Sequence, residues 1–140
     1  MKATPTALVA DDLYGIRHLL LTIMEEIGYK VSLAKNGFEA VEAVEKYRPN
    51  LVFLDVQMPV MNGLQALGKI KAISPETTVI LMTAYISNEV VSEAIEKGAG
   101  FCITKPFNMD KARPFLQKFY EEKGSSCYCL RDNCSLALPG

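Results

Sequence analysis

The chain alternates, five times over, between a short strand-like run and a segment with helical periodicity. Thr6–Ala10, Leu51–Leu54, Thr77–Met82 and Gly100–Thr104 are apolar runs, and Lys30–Ala34 alternates in the manner of a strand. Strands joined through helices lie parallel, because a parallel pair needs a long crossover rather than a tight hairpin. Repeated strand–helix units therefore predict a parallel sheet with helices on both faces. The expected architecture is α/β, a single doubly wound five-stranded sheet.

The intervening segments support that reading locally. Ile16, Leu19, Leu20, Ile23, Met24 and Ile27 fall on one helical face. Gly28 fits the left-handed residue that closes such a helix. Asn36 is placed to cap the second helix, with Glu39 set for a capping-box-like return contact. Ala40, Val41, Val44 and Tyr47 form its apolar face, and Pro49 stops it. Leu51–Leu54 is apolar at every position, as in a strand covered on both sides. Pro59 and Asn62-Gly63 mark a loop before a weaker helix over Leu64–Ala72. Val90, Val91, Ala94 and Ile95 mark the fourth helix, and Phe115, Leu116 and Phe119 the last.

In sheets of this kind, active groups collect beyond the carboxyl ends of the strands. Asp11 and Asp12 follow the first run, Asp55 the third, Thr83 the fourth, and Lys105 the fifth. Taken singly, each has an ordinary reading: a helix cap for an Asp, a strand-end hydroxyl for Thr83, a solvated side chain for Lys105. Together they predict one polar site. Three close carboxylates repel one another. A hard divalent cation such as Mg²⁺ relieves that repulsion and accepts carboxylate oxygens, water and a phosphate oxygen. Lys105 adds a cation suited to a phosphoryl group, Thr83 a hydroxyl, and small Ala84 an approachable backbone N–H. Asp carboxylates act as nucleophiles and form aspartyl phosphates; Asp55 is the candidate because it ends the most apolar run.

These residues bring a family into view. Asp11-Asp12, the segment Asp55-Val-Gln-Met-Pro-Val-Met-Asn-Gly63, Met82-Thr83-Ala84 and Lys105-Pro106-Phe107 resemble the receiver domain of two-component response regulators, over roughly Thr6 to Glu122. The resemblance implies the flavodoxin-like strand order 2-1-3-4-5. It implies Asp55 as phosphoacceptor, Asp12 as a direct Mg²⁺ ligand and Asp11 as one acting partly through water. The Gln57 backbone carbonyl completes the protein's metal ligands, and Mn²⁺ is an expected substitute. Thr83 and Ala84 correspond to the phosphoryl-binding switch, and Lys105 to the lysine that pairs with the phosphoryl group. The Lys105–Pro106 bond is typically cis in this family. The implied partners are a sensor histidine kinase or histidine phosphotransfer protein and either a downstream protein target or an output domain missing from this chain; the last helix belongs to the surface that the family commonly uses for targets and for a phosphorylation-linked dimer.

The chain departs from the family pattern twice. An aromatic residue usually stands three positions before the lysine; here it is Cys102, beside Phe101. Pro114 lies early in the last helix and predicts a late start or a kink there.

Composition removes other classes. Fifteen Lys plus Arg against sixteen Asp plus Glu give a net charge of −1, far from the basic footprint of a nucleic-acid binder. No apolar run has the length of a membrane span, and the first residues lack a signal-peptide apolar stretch, so the expected location is cytoplasmic. An aspartate-nucleophile phosphohydrolase usually carries a second Asp two residues on, where this chain has Gln57. A flavin carrier on the same layered fold needs a phosphate loop after the first strand, where this chain has Asp-Asp-Leu-Tyr-Gly. A receiver-like module that only binds protein has no need of all five polar residues. His18 reads as a surface or groove histidine. Residues 1–123 are read as the receiver domain and 124–140 as a tail carrying Cys127, Cys129 and Cys134, a spacing unlike that of common zinc sites.

Overall fold

The computed structural model describes residues 4–84, 87–104 and 109–122. Lys105, Pro106 and their peptide bond, together with Tyr85, Phe107 and the three tail cysteines, lie outside the described residues.

Among the described residues, five strands and five helices alternate. They are β1 (Thr6–Ala10), α1 (Tyr14–Ile27), β2 (Lys30–Ala34), α2 (Gly37–Tyr47), β3 (Leu51–Asp55), α3 (Gly63–Ile73), β4 (Thr78–Thr83), α4 (Asn88–Glu96), β5 (Phe101–Thr104) and α5 (Met109–Glu122). Every strand pairing is parallel. The order is β2-β1-β3-β4-β5, as expected of a flavodoxin-like sheet. The direction of winding therefore reverses at β1 and β3, which places the crevice for ligands between their carboxyl ends.

Side chains alternate across each strand, so the sheet feeds two cores. Ala7, Val9, Leu51, Phe53, Ile80 and Met82 pack with Leu20, Ile23 and Met24 of α1 and Phe115, Leu116 and Phe119 of α5. Leu8, Ala10, Val52, Leu54, Val79 and Leu81 pack with residues of α2, α3 and α4, among them Val44, Leu67, Ile70 and Ala94. β3 is buried throughout because both layers close over it. The helical stripes are narrower than periodicity suggests: Leu19, Tyr47 and Ile95 are exposed.

Local chemistry fixes the helix ends. Gly28 has φ 129° and donates its N–H to the Met24 carbonyl, a backbone conformation that costs glycine little. Asn36 accepts the Glu39 N–H at 2.8 Å, but Glu39 returns its carboxylate to Lys35 N–H rather than to Asn36. The reciprocal capping box stands instead on α3, between Asn62 and Gln65. α5 starts at Met109 and runs through Pro114, so the expected late start is not seen. Five helical residues precede the proline, and the apolar face after it is held by the α1 side of the core.

Candidate functional site

Asp11 follows β1 directly and Asp55 is the last residue of β3. In the β1–β3 register Ala10 stands opposite Leu54, which brings the two aspartates level at the sheet's carboxyl edge. Asp12 follows in the β1–α1 loop. One carboxylate oxygen from each of Asp11, Asp12 and Asp55 lies within 4.8 Å of the other two. Asp11 and Asp55 are buried and Asp12 is exposed. The pocket is thus a buried acidic floor with one acidic wall open to solvent.

Each floor carboxylate has backbone support. Asp11 Oδ1 accepts the Leu13 N–H at 2.9 Å. That bond occupies Asp11 with the loop, and α1 begins at N-cap Leu13 without a side-chain cap. Neither aspartate is the N-cap of α1. Asp55 Oδ1 faces the Gln57 N–H across 3.4 Å, a long contact. The Val56 N–H donates to Met82 O and the Gly63 N–H to Val56 O, both at 2.8 Å, so the backbone after Asp55 is pinned to β4 and to the start of α3.

The donor set is all oxygen, carries like charges at close range and is partly withdrawn from water. Such a set suits a hard divalent cation with several waters, whose charge offsets the mutual repulsion of the carboxylates. Asp11, Asp12 and Asp55 therefore fit Mg²⁺. Gln57 is exposed beside Asp55.

Thr83 ends β4, opposite Thr104 of β5, and is buried. Ala84 follows it and is exposed. Cys102 pairs in register with Leu81 and shares its core. Strand alternation puts Thr83 on the face of Leu81, hence on the face of Cys102. Phe101 points the other way and packs edge-on against Phe115 of α5, with ring centroids 4.8 Å apart. It does not occupy the place left by the missing aromatic. Burial pushes the Cys102 thiol pKa up, keeping it protonated.

Three supports of the site were not singled out from sequence. A Cβ on Gly63 would collide with the Asp55 carbonyl oxygen and the Val56 α-carbon. A Cβ on Gly37 would collide with the Met61 carbonyl, to which the Gly37 N–H donates at 3.0 Å. Val60 has φ 69°, and the Met61 N–H reaches back to Pro59 O at 2.7 Å; this is the strained, positive-φ form of a γ-turn. The Asn62-x-x-Gln65 spacing was a legible cap signal. The two glycine contacts join distant segments and leave no local pattern.

A family model described as the response regulator receiver domain matches residues 7–117. The chain is 39% identical over 118 residues to the sporulation initiation phosphotransferase F of Bacillus subtilis, covering 84% of this chain and 95% of that protein. It is 38% identical over 112 residues to the chemotaxis protein CheY of Listeria monocytogenes, covering 79% of this chain and 94% of that one. A solved CheY-like receiver domain from Methanospirillum hungatei superposes with a TM-score of 0.81 at 27% identity, covering 86% of this chain and 97% of that chain.

Proposed function

The chain belongs to the response regulator receiver domain family of two-component signalling, and from that premise we propose that it is a signalling switch phosphorylated on Asp55. Phosphorylation on an aspartate is general for the family, and such domains act as switches rather than as metabolic enzymes. The observation that carries the assignment to Asp55 is its position: the last residue of the central strand, level with Asp11 and within 4.8 Å of both partner carboxylates.

The donor is a phosphohistidine on a sensor histidine kinase or a histidine phosphotransfer protein. An Asp55 carboxylate oxygen attacks phosphorus; the O–P bond forms, the N–P bond breaks, and its electron pair returns to the imidazole. Asp11, Asp12 and the Gln57 backbone carbonyl would hold Mg²⁺ together with Asp55, and Mn²⁺ would substitute for it. The ion supplies charge neutralisation to the incoming phosphoryl oxygens. Thr83 donates its hydroxyl and Ala84 its N–H to those oxygens, and Lys105 pairs with them as a point charge. Water later cleaves the acyl phosphate at the O–P bond, releasing inorganic phosphate and restoring the carboxylate. Phosphorylation shifts a pre-existing equilibrium between two conformations, since it favours only the one that satisfies the new charge.

Cys102, at the atypical switch position, leaves the Thr83 face without a bulky aromatic, so the switch relies on motion of Thr83 and the segment after it. We assign residues 1–123 to the receiver unit and 124–140 to a tail. The downstream target is a protein, reached by docking or through a phosphorylation-linked dimer. No described helix is long and apolar enough to cross a membrane; a cytoplasmic location belongs to the proposal. Incubation with a small phosphodonor and Mg²⁺, followed by intact mass spectrometry, tests the reading. One phosphoryl adduct is expected on the native chain and none on Asp55→Asn; an equal adduct on that variant would refute it.

A further inference from the structure

Asp12 is the exposed wall of the acidic pocket, and it makes no hydrogen bond among the described residues. A long-lived pocket geometry needs another restraint on it. The geometry points to Arg17 as the positioning residue that supplies this restraint, an inference that rests on the metal-site reading above.

Arg17 lies in the first turn of α1 and is half-buried. Its Nη1 donates to the main-chain carbonyl of Asp11 at 2.7 Å. That carbonyl belongs to the peptide joining Asp11 to Asp12. The same residue is held from two other sides: the Asp11 N–H donates to Ala34 O at 3.1 Å, and Asp11 Oδ1 accepts the Leu13 N–H. The Asp11–Asp12 peptide plane is therefore fixed, and with it the direction in which the Asp12 side chain leaves the backbone. α1 has no side-chain cap of its own, so the Arg17 clamp does the tethering of loop to helix that a cap would normally do.

The guanidinium is itself held in place. Its carbon sits 5.8 Å from the Tyr14 ring centroid, and Tyr14 stacks on His18 at 4.0 Å. A charged donor to a carbonyl makes a stronger hydrogen bond than a neutral one, and the planar fork loses little freedom in making it.

Two roles for Arg17 predict opposite signs. As a mere nearby positive charge, Arg17 repels a cation, and its removal tightens Mg²⁺ binding. As a positioning residue it preorganises the ligands, and its removal weakens binding. Partners that orient metal ligands typically carry ten-fold or greater effects on affinity.

The test is a titration of MgCl₂ into labelled protein at constant ionic strength, followed by amide chemical shifts of Asp11, Asp12 and Asp55. Arg17→Met keeps the stem over Tyr14 and removes donor and charge; Kd is expected to rise about 10-fold while the rest of the spectrum stays dispersed. Arg17→Lys, which keeps a cationic donor, is expected to recover at least half of that loss on a logarithmic scale. Equal or tighter binding in Arg17→Met, or no recovery in Arg17→Lys, would overturn the inference. Should Arg17→Met lose its dispersed spectrum, Arg17→Leu, which also lacks donor and charge, carries the same expectation. A native chain showing no saturable shifts at the three aspartates would instead sink the metal-site reading itself, and the inference with it.

Discussion

The α-carbon of Gly63, the first residue of α3, lies against the main-chain carbonyl of Asp55, with no room between them for a methyl group. The obstacle is backbone on both sides, so relief requires α3 or the strand end to move. Gly63→Ala is expected to destabilise the fold by about 1–3 kcal/mol, the usual cost of overpacking, although alanine is the better helix former. It is also expected to slow phosphorylation more than the stability loss explains. Urea unfolding alongside the initial rate with a small phosphodonor checks both; a stabilised or neutral variant would show that the contact is not tight.

Val60 gives the opposite sign. It is 80% exposed, so it packs little, yet a β-branched side chain is held at φ 69°. The left-handed region costs such a residue about 1–2 kcal/mol. Val60→Gly removes that strain and adds roughly 0.4–1 kcal/mol of unfolded-state entropy. A net gain of about 0.5–1 kcal/mol in urea unfolding is the expected result.

The three clustered aspartates predict a metal-dependent reversal. Without divalent cations, Asp12→Asn removes one of three mutually repelling charges and is expected to raise the melting temperature by about 2–5 °C. With saturating Mg²⁺ the order inverts, because the native chain gains binding energy that the variant largely lacks. Thermal melts in chelator and in Mg²⁺ give both arms.

Alkaline pH is expected to weaken the fold through two buried acids. Burial raises the pKa of the Tyr29 hydroxyl, helped by nearby Tyr120, and burial raises the Cys102 thiol above its ordinary 9.0. For both groups the unfolded chain loses its proton first. The Cys102 contribution is thus complete below pH 9.0 and the Tyr29 contribution below pH 10.0, and each is lost as pH rises above that value toward the higher pKa of the folded chain. Lys71, whose pKa burial lowers, acts in the opposite sense, but it is partly exposed and so contributes weakly. Tyr29 Oη also donates to the Leu116 carbonyl at 2.8 Å. Tyr29→Phe should cost about 1 kcal/mol at neutral pH and flatten the alkaline decline, measured as urea midpoints from pH 7 to 11.

The alternation of strands and helices was legible because each element carries its own periodicity, and the four described polar residues Asp11, Asp12, Asp55 and Thr83 do gather at one edge. What sequence hid was contact between segments far apart in the chain or folded back on themselves. Arg17 reads as an ordinary polar residue of α1, since its partner is six residues away and outside the helix. An Asp was a natural cap for α1, but the Asp11 side chain takes the Leu13 N–H and leaves Leu13 to begin the helix. Phe101 stands beside the position where the family usually has an aromatic residue, but adjacent residues on a strand face opposite ways, and it packs on Phe115.

The most direct measurement of the central claim is chemical trapping of the modified residue. Borohydride reduces an acyl phosphate to an alcohol, converting a phosphorylated aspartate to homoserine. After treatment with phosphodonor and Mg²⁺, reduction and peptide mass spectrometry should find homoserine at position 55 and at no other aspartate. Homoserine at Asp11 or Asp12, or none anywhere under conditions where the donor is consumed, would contradict the account.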